Sequence, residues 1–399
     1  MLISVEEYTE ALTRDIVPVG TERLPLGAAL GRVVAVPVVA KLAVPPFANS
    51  AMDGFALNVA ADVAPGASFD VVTDIPAGSA PTSLPEGKAA RIMTGAPVPE
   101  GATCVVPVEH TDSQPGPRPC PPQVTIHEPV TIGQHIRPAG EDIQPGVVGI
   151  EAGTVLTATA LSTAASIGHA EVEVYRRPRV AIVSTGSELA EPGQALEPGQ
   201  IPDSNSILLQ GLLPGWGAEV IGIFRASDVA GNFAEVLAKA ATEADVVVTT
   251  GGVSAGAYDP VKELAASGKA ELQFAKVNQQ PGKPQGYGRI GDAKLVALPG
   301  NPVSVFVSAT IHLRAVLAKL QGTVSEHPEF FVPVAQRIEF KGGRRRYVPV
   351  RVDKAAGFVH EKGLGSHLVA SLHLANALLV LPEEGITLEP GQLCPAIAI

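Results

Sequence analysis

The stretch that decides the fold is Val180-Ala-Ile-Val-Ser-Thr-Gly-Ser-Glu-Leu189, in which a short apolar run leads directly into a polar turn. Two later stretches repeat the pattern: Asp245-Val-Val-Val-Thr-Thr-Gly-Gly252 and Lys294-Leu-Val-Ala-Leu-Pro-Gly-Asn-Pro-Val-Ser304. Apolar runs that do not alternate with polar residues are typical of strands buried on both faces, as in a parallel sheet. Helical patterns follow over 204–213, 229–243, 259–266 and 302–320. The alternation of strand and helix predicts an α/β layer.

The polar turns share one predicted edge of that layer. Parallel strands end at the same edge, and α/β sheets bind ligands beyond the carboxyl ends of their strands. Gly251 and Gly252 would offer backbone N–H groups without an obstructing Cβ atom, which suits a phosphate or another oxyanion. We expect Glu188 to follow a strand and open a helix, and Asp203 to cap the helix that starts at 204.

The regions on either side of this layer are predicted to be rich in β-structure. Segment 70–130 has short strands with proline and glycine turns, and the residues after 322 alternate apolar and polar side chains. An amphipathic helix is predicted over 6–16 and an edge strand over 32–39. We therefore predict an N-terminal region, an α/β domain and a C-terminal β-domain over residues 1–177 (with an inserted β-domain at about 53–142), 178–322 and 323–399.

Composition restricts the class of protein. The chain has 399 residues, of which 46% are hydrophobic and 17% charged, as in ordered globular proteins with several domains. Three cysteines without CxxC spacing predict neither a disulfide framework nor a zinc site. The first residues lack the features of a signal peptide and no uninterrupted apolar run spans about 18 residues, so we expect a cytoplasmic protein without a membrane span. A net charge of −11 argues against a general nucleic-acid surface.

Several motifs together resemble one protein family. The Ser-Thr-Gly-Ser-Glu-Leu turn, the Gly-Gly-Val-Ser loop that ends at Asp259 and the Pro-Gly-Asn-Pro-Val-Ser turn are similar to the molybdenum-cofactor biosynthesis fold. With Ser50-Ala-Met-Asp-Gly-Phe-Ala56 upstream, the chain resembles the molybdopterin molybdenumtransferase family, which includes the C-terminal domain of gephyrin. Because several motifs occur in the family's order over nearly the whole chain, the resemblance is far more specific than a single glycine-rich loop.

The resemblance implies a set of site residues. It implies catalytic carboxylates at Asp53, Asp142, Glu188, Asp228 and Asp259, of which Glu188, Asp228 and Asp259 would bind Mg²⁺. From the residues alone, Asp53 could cap a turn, and Asp228 and Asp259 could cap helices. Five acids without histidine or cysteine in ligand spacing favour an oxygen-preferring ion over zinc. The implied substrate-binding residues are Thr94, Gly251, Gly252, Ser254, Lys276, Lys283, Pro299, Asn301, Pro302, Arg346 and Ser371.

The chain departs from the family pattern at three positions. Ala255 stands where valine is usual, Ala257 where an acidic residue is common, and Gln280 where lysine is frequent. Because alanine has no carboxylate, the change at Ala257 would alter how this loop binds a metal ion or molybdate. The lysine-containing loop nevertheless keeps Lys276 and Lys283.

The resemblance implies an enzyme that acts on adenylylated molybdopterin and molybdate. It would cleave the phosphoanhydride with Mg²⁺, release AMP and insert molybdate at the dithiolene. It also implies a homodimer whose clefts are each shared between two subunits, and a molybdopterin adenylyltransferase as a partner. Two alternatives remain open. An adenylyltransferase-like enzyme would not need the flanking β-domains, and a degenerate acid set would favour a non-enzymatic scaffold of the gephyrin type.

Overall fold

A seven-stranded sheet lies between two β-rich regions of the chain. The computed structural model of the protein describes residues 2–227, 232–253, 271–325, 329–353, 359–361 and 369–399. The predicted helix at 259–266 and the candidate site residues Asp228, Ser254 and Asp259 lie outside these residues, as does the side chain of Ser371.

The N-terminal region contains two helices and short strands. Helix α1 spans Val5–Thr13 and α2 spans Ala158–Ser166. The strands are β1 Leu2–Ile3, β2 Thr21–Pro25, β3 Val38–Val39, β4 Asn49–Ser50, β5 Gly54–Leu57, β6 Ser68–Ile75, β7 Ala89–Ile92, β8 Cys104–Pro107, β9 Gln123–Thr125, β10 Ile136–Arg137, β11 Val148–Ile150 and β12 Glu171–Tyr175. Strands β5 to β9 form a five-stranded sheet in the order β8-β5-β7-β6-β9.

The continuous strand predicted over 32–39 is wrong, because only β3 forms there. Val33 and Val34 instead make isolated bridges to two different partners, Val155 and Val174. Pro37 has no backbone N–H and cannot extend a ladder from β3 toward them. Helix α1 is shorter than predicted, but it begins with a capping box. The Ser4 hydroxyl accepts from the Glu7 N–H at 3.0 Å, and the Glu7 carboxylate accepts from the Ser4 N–H at 2.7 Å.

The α/β region supplies most of the central sheet. Its helices are α3 Ser204–Gly215, α4 Asn232–Ala241, α5 Pro302–Ser308 and α6 Arg314–Leu320, with a π-helical turn, Ala309–Leu313, between the last two. Its strands are β13 Arg179–Thr185, β14 Leu189–Ala190, β15 Ile201–Pro202, β16 Glu219–Ala226, β17 Val246–Thr250, β18 Glu271–Val277, β19 Gln279–Gln280, β20 Pro284–Ile290 and β21 Ala293–Leu298.

The central sheet is mixed rather than fully parallel. Its order is β1-β18-β20-β21-β17-β13-β16, and only the two pairings made by β20 are antiparallel. Strands β20 and β21 are joined by Gly291 and Asp292 alone, and a two-residue link cannot carry the chain across to a parallel neighbour. The parallel prediction, made for the runs that form β13, β17 and β21, is therefore confirmed, and the antiparallel β20 is an addition that was not predicted.

Both faces of this sheet are covered by helices. On one face, Tyr8 of α1, Leu209 of α3 and Leu317 of α6 pack in the core that contains Ile182 and Val248. On the other face, Phe233 and Leu237 of α4 pack against the alternate residues Ala181, Val183 and Val247. Burial on both faces explains why the strand sequences show no alternation of apolar and polar residues.

The C-terminal region forms a six-stranded sheet that includes one strand of the α/β region, and a separate two-stranded sheet of β23 and β27. Its strands are β22 Glu329–Pro333, β23 Ile338–Phe340, β24 Arg345–Val352, β25 Val359–Glu361, β26 Ala377–Leu381, β27 Ile386–Leu388 and β28 Leu393–Ala398. The order is β19-β24-β26-β28-β22, with β25 paired to β24. Gln279 and Gln280 of β19 pair in parallel with Arg345 and Arg346 of β24.

The helical run Pro302–Leu320 has the length and composition that a membrane span requires. Its mean hydropathy is 1.5, but 83% of its most apolar window is buried inside the protein. The core helix of a soluble protein has the same properties. In the described part of the chain, this run packs against the central sheet.

Candidate active site

A cleft of about 720 Å³ opens where β13, β17 and β21 end. The polar turns after these three strands form much of its wall. The remainder comes from the start of α3, the loop between β19 and β20, and Arg344 of the C-terminal region. The predicted site residues that line the cleft are Glu188, Gly251, Gly252, Lys283, Pro299, Asn301 and Pro302.

The glycine turn after β17 approaches the turn after β13 closely. Gly251 has φ +89° and Gly252 has φ +71°, in the left-handed region that favours glycine. A Cβ atom on Gly251 would lie 3.0 Å from Thr185 Oγ1 and 3.2 Å from its carbonyl oxygen. The Thr185 hydroxyl also donates to the Thr250 carbonyl at 3.2 Å. The turn therefore requires glycine at 251, and both glycines line the cleft without a side chain.

The start of α5 forms another wall of the cleft. Pro302 is the first helical residue, where its missing N–H costs nothing, and Asn301 is the N-cap residue. The Asn205 amide of α3 donates to the Gly300 carbonyl at 2.7 Å and so ties the two helix starts together. The N-terminal end of a helix carries a partial positive charge, which favours an anion in this part of the cleft.

The acidic side chains around the cleft differ in burial and in whether their carboxylates are already hydrogen-bonded. Asp203 is buried and caps α3, because its carboxylate accepts from the Ser206 N–H at 3.1 Å and the Ser206 hydroxyl at 2.7 Å. It also lies 3.8 Å from Arg225 Nε. Glu188 is exposed, and its carboxylate lies against Gly186, where a Cβ atom would be 2.4 Å from Glu188 Oε2.

Glu188 does not open a helix, so that prediction is wrong. It precedes β14, and α3 begins only at Ser204. The Glu188 carbonyl accepts from the Ile201 N–H at 2.8 Å and the Ala190 carbonyl accepts from the Asp203 N–H at 2.9 Å. These bonds pair β14 with β15. Residues 191–200 between the two strands form a loop, which we call the excursion.

The described residues contain no group of three or more histidine, cysteine, aspartate or glutamate side chains arranged to hold a metal ion. Of the three predicted metal ligands, only Glu188 lies within them. Its exposed carboxylate has no hydrogen-bond or ion-pair partner in that part of the chain, so it is available to a hard cation.

Asp53 and Asp142 do not line this cleft. Asp53 Oδ1 accepts from the Thr94 N–H at 2.6 Å and the Thr94 hydroxyl at 2.8 Å, and these two bonds hold the pKa of Asp53 below its usual value. Asp53 borders a separate cavity of about 640 Å³, beside Arg91 and a proline-rich loop. Asp142 is exposed, and its backbone N–H donates to the Val44 carbonyl at 2.9 Å.

Two predicted basic residues also lie outside the residues that line the cleft. Lys276 is exposed on β18, opposite Leu2 and Pro284. The Arg346 guanidinium lies 5.6 Å from the centre of the Phe340 ring. Sequence reasoning missed Arg344, because its place in the cleft depends on the pairing of β19 with β24. Arg344 lies 65 residues after Gln279, whose carbonyl accepts its hydrogen bond.

Comparison with known families matches almost the whole chain. Residues 3–168 match the MoeA N-terminal region (domain I and II), residues 181–319 the probable molybdopterin binding domain, and residues 332–399 the MoeA C-terminal region (domain IV). The fold and its cleft thus define a protein with a molybdopterin-binding type of α/β domain between two further regions.

Individual relatives agree with this class over nearly their full length. Molybdopterin molybdenumtransferase 2 of Mycobacterium tuberculosis is 40% identical over 97% of each chain, and the molybdopterin molybdenumtransferase of Haemophilus influenzae is 34% identical over 94% of this chain and 93% of its own. A crystal structure of the molybdopterin biosynthesis MoeA protein from Pyrococcus horikoshii OT3 is 29% identical, covers 100% of both chains and has a TM-score of 0.86. The chain belongs to the molybdopterin molybdenumtransferase (MoeA) family.

Proposed function

We propose that the protein inserts molybdate into the dithiolene of adenylylated molybdopterin and releases AMP. The observation that carries this proposal is the cleft at the strand ends, where the Gly251-Gly252 turn, the start of α5 and Lys283 meet. Backbone amides, a helix start and a lysine together suit an anionic phosphate. The flanking regions match relatives as fully as the α/β domain does, which favours this function over an adenylyltransferase.

In this proposal, the cleft residues hold the phosphates while carboxylates bind Mg²⁺. Glu188 would be one ligand of the ion, with Asp228 and Asp259 as the others, and Asp53 and Asp142 would complete the acid set. The bound ion supplies Lewis-acid polarisation of the phosphorus. The further substrate contacts that we propose are Thr94, Ser254, Lys276, Pro299, Asn301, Pro302, Arg346 and Ser371.

We also propose a homodimer in which two chains complete each cleft. Asp53 and Asp142 are exposed and do not line the cleft of their own chain. Val39 and Val148 are exposed cross-strand neighbours, and such apolar patches mark interaction surfaces. Further exposed apolar side chains in the same region are Leu30, Val36, Leu42, Phe47, Val147 and Val155. A two-fold dimer would repeat a shared cleft twice.

A molybdopterin adenylyltransferase is the proposed partner, because the substrate must first receive its adenylyl group. We propose a cytoplasmic location for the enzyme. The three cysteines are free thiols, which fits a reducing compartment.

The proposed function is tested by AMP release from adenylylated molybdopterin in the presence of molybdate. Chelation should stop release and Mg²⁺ should restore it. Glu188→Gln should raise the Mg²⁺ concentration needed for half-maximal rate by at least about 10- to 100-fold, which is the loss that mutation of a residue supporting a metal ligand typically causes. Glu191→Gln is the matched control, because Glu191 lies in the same excursion but pairs with Arg225 at 3.0 Å. Absence of AMP release under every condition would support a scaffold, and full activity in metal-free buffer would exclude the Mg²⁺ role.

A further inference from the structure

Two adjoining cavities of about 560 Å³ each lie where the N-terminal region meets the α/β region. Their shared lining residues are Gly153, Thr154, Thr323 and Val324. One of them, which we call the junction cavity, is also lined by Arg314 at the start of α6 and by Trp216 just after α3. Arg314 and Pro302 of the cleft belong to one helical run, and at about 1.5 Å per residue they lie roughly 18 Å apart. The junction cavity is therefore separate from the cleft.

Arg314 brings an unpaired positive charge to the junction cavity. Its side chain is half-buried, and its guanidinium has no hydrogen bond or ion pair within the described residues. Burial lowers the pKa of Arg314, and no neighbouring carboxylate opposes that shift. By contrast, Arg32 pairs with Glu22 and Arg176 pairs with Asp245. A partly desolvated cation is disfavoured unless an anion meets it, so an anionic ligand would be bound preferentially beside Arg314.

The rest of the lining fits an anion that carries an apolar body. None of the described residues that line the junction cavity is acidic. Thr154 and Thr323 have hydroxyls that make no hydrogen bond in the described part of the chain, so they can donate to a ligand oxygen. The apolar lining comes from Val33, Val155, Trp216, Ala318 and Val324. The volume falls within the range of about 300–1,000 Å³ that is usual for sites of organic ligands.

Gln321 fixes one wall of the junction cavity. Its buried side-chain amide donates to the Trp216 carbonyl and to the Leu317 carbonyl, each at 3.0 Å. Gly217 follows Trp216 with φ +80°, and a Cβ atom there would collide with the Gln321 side chain. These contacts hold Trp216 at a defined place relative to the helix that carries Arg314. The site is thus largely pre-formed, as small-molecule sites usually are.

We propose that the junction cavity is a binding site for an organic anion, either a phosphate monoester or a carboxylate. The oxyanion contacts Arg314 and the hydroxyls of Thr154 and Thr323, and the apolar body of the ligand packs beside Trp216 and Val324. Arginine suits this role because its planar fork of N–H donors matches the oxygens of either group. The site lies outside the proposed function, since none of its residues takes part in AMP release.

The test uses the fluorescence of Trp216, the only tryptophan in the chain. Wild-type protein is titrated with phenyl phosphate, with benzoate and with the uncharged analogue benzyl alcohol. At least one of the two anions should give a saturable change and bind about tenfold or more tightly than benzyl alcohol, as expected for a charge-assisted hydrogen bond. A response to only one anion identifies the oxyanion. No saturable change with either anion, or equal affinity for benzyl alcohol, would overturn the inference.

Arg314→Gln should raise the Kd of the bound anion about tenfold or more. The matched control is Arg289→Gln, which removes the same charge from an exposed residue of β20 that lines neither cavity. Lys283→Gln, in the cleft, should also leave the titration unchanged. A wild-type Kd in a folded Arg314→Gln protein, or an equal rise in Kd for Lys283→Gln, would contradict a site at Arg314.

A second variant keeps the test decisive if Arg314→Gln does not fold. Val324 is 70% exposed, so substitution there should not disturb the core. Val324→Glu places a negative charge at the cavity and should raise the Kd of the anion, whereas the neutral Val324→Gln should raise it less. Equal Kd values for these two variants would overturn the inference. Because no measurement involves AMP release, failure of the proposed function would leave this test unaffected.

Discussion

The α/β cleft and the surroundings of Asp53 present polar groups in different ways. In the cleft, three turns after parallel strands and the close approach of Gly251 to Thr185 define the geometry through the backbone. At Asp53, a single exposed carboxylate is held by Thr94, with which it forms two hydrogen bonds. In the proposed function, the cleft binds an anion through its own backbone, whereas Asp53 would act together with the cleft of the second chain of the dimer.

The strongest test of this comparison is complementation between the two regions. Asp53→Ala and Glu188→Ala should each lower AMP release by at least about 100-fold, as removal of a group that acts on the reacting atoms does. When the two variants are unfolded and refolded together, a shared cleft predicts recovery of roughly a quarter of wild-type activity, since one cleft of each mixed dimer carries neither lesion and half of the dimers are mixed.

Mixed dimers must be shown to form, for example by mass spectrometry of differently tagged chains. Refolding each variant alone is the control for partial recovery. A mixture as inactive as its parents, with mixed dimers present, would show that both residues act within one chain.

The second test concerns the backbone geometry of the cleft. Gly251→Val should abolish anion binding and lower the free energy of unfolding by about 1–3 kcal/mol, because a branched side chain is strained at φ +89°. Gly193→Val is the matched control: Gly193 has the same φ of +89°, but nothing lies within 4 Å of a Cβ atom there. It should lose similar stability and keep its activity, measured by denaturant titration and AMP release. Equal activity losses would mean that strain, not the cleft, explains the effect.

A smaller effect is expected when the support of Asp53 is weakened. The Thr94 N–H and hydroxyl lower the pKa of Asp53, so these bonds favour the ionised form at neutral pH and are lost as the pH falls through that lowered value. Thr94→Val removes the hydroxyl bond and should raise the pKa toward its usual value, which shifts the acid limb of the activity profile to higher pH. Carboxyl NMR titration checks this, and Thr94→Ser should retain the wild-type pKa. An unchanged titration in Thr94→Val would assign the effect to the N–H alone.

The smallest effect is expected at the connection between the two regions. Arg176, just after β12, donates two hydrogen bonds of 2.7 Å to Asp245, just before β17. Because both side chains are partly exposed, Arg176→Gln should lower the free energy of unfolding by only about 1 kcal/mol. Denaturant titration measures this loss, and KM should not change. A large change in KM would mean that this ion pair also orients the cleft.

Sequence patterns predicted the parts of the fold that depend on local periodicity. The buried runs at β13, β17 and β21 were predictable because burial on both faces demands continuous apolar residues. The Asp203 cap was predictable because it depends on Ser206, only three residues away. The antiparallel β20 was not predicted, since its glycine-rich sequence, Pro284-Gln-Gly-Tyr-Gly-Arg-Ile290, has little strand character by itself.

The candidate site was less predictable where it depends on pairing between distant residues. The turns that bear Glu188 and Gly251 could be recognised from the polar residues that follow each strand. The excursion between Glu188 and α3 was missed, although Pro192-Gly193 and Pro198-Gly199 are turn-forming pairs within it. Arg344 could not be assigned, because only the register between Gln279 and Arg345 brings it to the cleft.

That short strand of two glutamines has a mechanical consequence. Gln279 and Gln280 are hydrogen-bonded into the C-terminal sheet, while the Gln279 side chain is bonded to Ser308 and to His312 in the helical run behind the central sheet. A rotation of the C-terminal sheet away from the cleft would have to break backbone and buried side-chain bonds together. We therefore expect this wall of the cleft to resist such a rotation.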